Sequence, residues 1–169
     1  MAELRLIVIG MLAACRSSAA DPGSGLTPPA SWTALPQLAS TAATAAKQDG
    51  ITVAGAEAWG EPARGCYAAW LALAGASGPA DVLAQEMVAS LSAEPALAGI
   101  VIHDVVKPGE GSATEGDVLT LAFERATYRG RLRANIGADG HIRVLACFWN
   151  QREPAACEKS CVTLLGELR

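Results

Sequence analysis

The sequence predicts an α+β fold: an antiparallel sheet with a C-terminal meander, packed by about three helices. Three observations predict it. Asp117 to Trp149 alternates apolar and polar residues between turn signals, as half-buried antiparallel strands require. The last two strands of that segment pair in a register on which pattern and turn chemistry agree. Cys157, Cys161, Leu164, Leu165 and Leu168 then recur at three- and four-residue spacing, the buried stripe of a helix running from about Pro154 to Leu168.

The folded part begins at Trp32, and residues 32–169 form a single domain. Pro36 suits the first turn of a helix from about Leu35 to Gln48, closed by Asp49 and Gly50. Ile51 to Trp59 is a first strand with weak alternation. Cys66 to Leu73 is a second, whose mixed aromatic and aliphatic residues suit a sheet buried on both faces. Ser77, Gly78 and Pro79 cap a second helix through about Ser92, with Leu83, Met87, Ser90 and Leu91 on one stripe. Ile100 to Val106 is a short strand, and Lys107 to Gly116 an exposed loop rich in glycine.

In the final hairpin, Ile136 pairs with Ile142, Ala134 with Val144, Leu132 with Ala146 and Gly130 with Phe148, so that all eight share one face. This register closes the hairpin through Ala138, Asp139 and Gly140, with glycine where a left-handed conformation is wanted.

Composition bounds the function. The chain is 51% hydrophobic and 18% charged, values of a folded domain, and its net charge of −4 gives no basic excess for nucleic acid. The apolar run Leu6 to Ala14 is too short to span a bilayer, which takes about 20 residues, but it suits the core of an export signal. Arg5 precedes that run, and Leu12-Ala13-Ala14-Cys15 ends it.

Leu12 to Cys15 resembles the lipobox of bacterial lipoprotein precursors. The resemblance implies that residues 1–14 are a signal peptide and that Cys15 is lipidated, becoming the first residue of the mature protein. Residues 16–31, rich in Ser, Ala, Gly and Pro, then form a flexible tether. Arg16 rather than Asp follows the cysteine, which by resemblance to enterobacterial sorting implies the outer membrane. The membrane is thus an expected partner through Cys15, together with another protein or assembly of the cell envelope. The order of elements over residues 50–169 resembles the PsbP/Mog1/DcrB type of compact α/β sandwich, which includes small envelope lipoproteins and implies a binding or assembly role.

The other face of the hairpin carries Arg129, Arg131 and Arg133 on one strand and Arg143 on its partner, with Arg129 opposite Trp149 and Arg131 opposite Cys147. These arginines and Trp149 are a candidate partner-binding surface for an acidic protein, lipid headgroup or glycan, with Arg129 and Trp149 placed for a cation–π contact. An ordinary solvated sheet face carries the same pattern. Trp59 and Trp149, each ending a strand beside polar residues, are contact candidates; Trp70, inside a strand, is core.

Setting Cys15 aside, Cys66, Cys147, Cys157 and Cys161 are candidate disulfide partners in an oxidising compartment. A Cys157–Cys161 bond is disfavoured by helix geometry. The expectation is one bond from Cys147 to Cys157 or Cys161, with Cys66 taking the other. Such a bond requires the last helix to cover part of the arginine face.

No cofactor or metal is expected: the CxxxC spacing is neither a thioredoxin nor a zinc motif, and no histidine adjoins a cysteine. No nucleophile elbow, HExxH or phosphate loop occurs. His103 and Asp104 are neighbours that strand geometry should point to opposite faces. Glu110 and Glu115 lie in the exposed loop. The sequence therefore points to a non-catalytic envelope lipoprotein that binds or scaffolds another component. Its alternative is a small periplasmic hydrolase or thiol-redox factor.

Overall fold

The computed structural model describes residues 23–93, 97–110, 117–137, 140–151 and 154–168. Cys15, the expected lipobox and Arg16 lie outside them. The architecture is α+β, and the described residues form one seven-stranded antiparallel sheet and three α-helices. In chain order the elements are β1 (Thr33–Ala34), α1 (Pro36–Gln48), β2 (Thr52–Glu61), β3 (Cys66–Ala74), α2 (Ala80–Ala93), β4 (Val101–Val106), β5 (Val118–Arg125), β6 (Tyr128–Ile136), β7 (Ile142–Asn150) and α3 (Pro154–Glu167).

The strand order is β1-β2-β3-β7-β6-β5-β4. A helical crossover carries the chain from β3 to the far edge at β4. Strands β5, β6 and β7 then return as a meander until β7 lies beside β3, and this β3–β7 pairing joins the two halves of the sheet. The hairpin register is Ile136↔Ile142, Ala134↔Val144, Leu132↔Ala146 and Gly130↔Phe148, as the apolar alternation predicts. Gly140 has φ 78°, the left-handed conformation that this turn requires.

Helices cover both faces, which is why β3 reads as apolar throughout. On one face, Leu119, Leu121, Leu132, Ala134, Ile136, Ile142 and Val144 form a core beneath α2. Leu83, Met87 and Leu91 of the expected stripe pack there, together with Ala84 and Val88; Ser90 is exposed. Helix α1 lies on the same face against β2 and β3. Leu35, at its start, approaches to 3.0 Å of the point where a Gly60 Cβ would stand.

On the opposite face, Trp59, Cys66, Ala68, Trp70, Leu145, Cys147 and Trp149 pack beneath α3. Every residue of the predicted α3 stripe is buried: Cys157, Cys161, Leu164, Leu165 and Leu168. The polypeptide before β1 joins this core. Leu26 packs against it, Trp32 is buried, and Ser24 donates from its backbone N–H and Oγ to the Glu57 carboxylate at 3.0 and 2.6 Å. Thr27 N–H donates to Glu167 at 3.0 Å. The expected tether is therefore corrected over residues 23–31, which dock onto the domain because Leu26 finds apolar cover and two carboxylates satisfy the backbone.

Candidate binding surface

The surface arises from a mismatch between sheet width and helix width. Helix α3 packs over β7 and touches β6 only at its margin. Alternation on β6 sends Gly130, Leu132, Ala134 and Ile136 to the α2 face, which leaves Arg129, Arg131 and Arg133 on the α3 face, just beyond the helix. Arg143 of β7, opposite Asn135, extends the row past the end of α3.

The guanidinium groups are held by light contacts. Arg129 Nε lies 3.4 Å from Glu124 of β5, and Arg131 Nη2 lies 3.1 Å from Glu158 of α3. Arg133 Nε donates to Asn135 Oδ1 at 3.2 Å, and Asn135 Nδ2 donates to the Leu168 carbonyl at 3.1 Å, tying the row to the end of the helix. Arg129 and Arg131 keep 59% and 48% of their side-chain surface in solvent. Exposed ion pairs of this kind contribute only about 0–1 kcal/mol, so a partner's carboxylates or phosphates can replace Glu124 and Glu158 at little cost.

Trp149 does not belong to this surface. It shares the arginine face, but α3 covers it and leaves it 3% exposed, so the expected stacking contact with Arg129 at the surface is corrected. Trp59 is likewise buried rather than a contact residue. Trp70 is core, and the indole N–H groups of Trp70 and Trp149 have no hydrogen-bond partner among the described residues.

The same coverage places the cysteines. Cys66 and Cys157 are bonded, with Cα atoms 5.5 Å apart and a separation of 91 positions in sequence. Cys147 is not bonded to Cys157; it and Cys161 are free and fully buried, with Cys147 Sγ 3.9 Å from the Cys161 carbonyl oxygen. One face thus serves as core over β3 and β7 and as charged surface over β6. That is how Cys147 can lie in line with the arginines yet beneath the helix.

The remaining candidates divide. His103 and Asp104 do not point apart: a bulge in β4 gives Asp104 a φ of 52°, and His103 Nδ1 lies 3.0 Å from Asp104 Oδ2. Both are solvent-exposed, and among the described residues no hydroxyl or thiol is hydrogen-bonded to them. Glu110 accepts from the Lys107 N–H at 3.1 Å, which closes a turn, and Glu115 lies outside the described residues. No group of three or more His, Cys, Asp or Glu residues suited to a metal occurs among the described residues.

A depression of about 520 Å³ at the start of α2 is lined by Ser77, Pro79, Leu83, Asp117 and Ile136. Asp117 is the one titratable group among its described lining residues.

One cluster escaped the sequence reading. Tyr67 stacks on Phe148 at 5.2 Å and Tyr128 meets the same ring edge-on at 6.3 Å, on the face away from the arginines. Burial and the neighbouring Tyr128 push the Tyr67 hydroxyl pKa up. The β6–β7 register sets Tyr128 beside Phe148, but only the β3–β7 pairing brings Tyr67 to that ring, and no local signal announces that pairing.

No protein-family model matches the chain, and no curated protein does so either.

Proposed function

We propose that this chain is a non-catalytic, lipid-anchored protein of the bacterial cell envelope, which binds an acidic surface of another envelope protein through Arg129, Arg131, Arg133 and Arg143. The observation that carries the reading is the row itself: four guanidinium groups on a rigid sheet, beside a helix that stops short of covering them. Sheet-borne groups hold their spacing without ordering a loop, which lowers the entropic cost of binding. The lipobox ending at Cys15 supports the address, and the Cys66–Cys157 bond supports an oxidising compartment. The absence of a recognised catalytic motif in the sequence is the reason for preferring binding to the hydrolase or thiol-redox alternative.

Two measurements test the proposal. In the intact mass of protein recovered from bacterial membranes, an acylated Cys15 as first residue is expected, and an unprocessed Met1 overturns the anchor. For the surface, the full chain with all four arginines changed to alanine is expected to retain its melting curve. It should fail to complement a deletion strain and lose the photo-crosslinked partner captured from a probe placed at Asn135. Full complementation by that variant, with the crosslink intact, removes the arginines from the function.

A further inference from the structure

We propose that Cys147 and Cys161 are the site of a second disulfide, parallel to Cys66–Cys157 and one helical turn along α3. The repeats of strand and helix match. Cys66 and Cys147 sit on neighbouring strands of one sheet face: the register sets Cys66 opposite Trp149 and Cys147 opposite Ala68, so the two cysteines are offset by two residues. Two residues of strand advance about 6.6–6.8 Å. On α3, Cys157 and Cys161 are separated by four residues, an advance of about 6 Å on the same helix face.

A helix docked so that Cys157 meets Cys66 therefore delivers Cys161 to Cys147. The structure shows this second meeting. Cys147 and Cys161 are 0% and 1% exposed, and Cys147 Sγ lies 3.9 Å from the Cys161 carbonyl oxygen. They share a core with Trp70, Leu145 and Leu164, and no group of three or more residues suited to a metal occurs among the described residues. A cysteine pair facing across the interface between a helix and a sheet, beside a second pair that meets in the same way, is placed as a disulfide requires.

Burial pushes the Cys161 thiol strongly upward, and the neighbouring Cys147 adds to the effect. The thiolate that exchange requires is thus suppressed while α3 is docked. Bond formation accordingly belongs to the stage at which α3 is docking and its cysteines are still open to solvent, with an external disulfide as oxidant. The Cys161 thiolate attacks one sulfur of that disulfide, forming a mixed disulfide and releasing one thiolate. The Cys147 thiolate then attacks Cys161 Sγ and expels the second. Two cysteine thiols are oxidised, the external disulfide is reduced to two thiols, and the two protons lost from the cysteines end on those products.

The test is a disulfide map of the full chain refolded with glutathione disulfide. The protein is alkylated in guanidinium without reductant and digested with trypsin. Cleavage after Arg152 and Lys159 separates the peptides of Cys147, Cys157 and Cys161. The expected result is no alkylated Cys147 or Cys161 and a linked pair of peptides carrying them. Quantitative alkylation of both, with Cys66–Cys157 formed, overturns the proposal. As an independent measurement, a variant with Cys66→Ser and Cys157→Ser is expected to form the Cys147–Cys161 bond under the same conditions. A persistent dithiol in that variant also overturns it.

Discussion

Two glycines in regular structure call for opposite outcomes on substitution. Gly130, in β6, has the Phe123 ring folded over its Cα, and a Cβ there would collide with that ring and with the Cys147 carbonyl. Gly166, in α3, has nothing within 4 Å of an added Cβ. Gly130→Ala is expected to destabilise by about 1–3 kcal/mol through overpacking. Gly166→Ala is expected to stabilise by roughly 0.5–1 kcal/mol by restricting the unfolded chain within a helix former's range. Urea denaturation of both variants checks the pair of signs.

Cys161 adds a pH dependence at the same scale. Its thiol is raised in the folded dithiol form by burial first, with Glu158 reinforcing and Arg131 opposing. A raised pKa means that the folded state keeps a proton which the unfolded chain releases near pH 9. Stability from this group is therefore fully present below pH 9 and falls above it, by about tenfold in the unfolding constant per pH unit. Equilibrium unfolding of the dithiol form between pH 8 and 10 measures the slope.

At the scale of elements, α3 decides most of the outcome. Its stripe was legible because each apolar position falls at helical spacing, and the β6–β7 register was legible because apolar alternation and Gly140 agree. The extent of α3's coverage was not legible. Trp149 and Arg129 are opposite each other in register, and only the lateral position of the helix buries one and frees the other. The β4 bulge at Asp104 escaped for a similar reason, since strand alternation assumes a ladder without inserted residues. Docking of residues 23–31 escaped because Gly, Pro and Ser do not disclose the partners, Glu57 and Glu167, that hold them.

The same helix carries a stability prediction. Cys66–Cys157 closes a loop of about ninety residues, and Cys66→Ser with Cys157→Ser is expected to cost about 2–5 kcal/mol, measured by urea denaturation with the other two cysteines unchanged.

Across the whole molecule, the arginine row and the chain's entry share a face. Residues 23–32 run against the α3 side of the sheet, so an anchor upstream would lead into the domain on the side that presents Arg129 to Arg143. The β3–β7 pairing has a different consequence, for the order in which the molecule assembles. Strands β2 and β3 meet through a short turn, and β4 to β7 form a run of sequence neighbours, so each half can nucleate locally. Cys66 through Leu73 must then find Ile142 through Trp149 across all the intervening chain. Loop closure of that length is entropically costly, and it is met only once the last strand exists. A chain that emerges amino-terminus first therefore waits with the apolar edge of β3 unpaired until β7 arrives, and its most aggregation-prone interval is that wait.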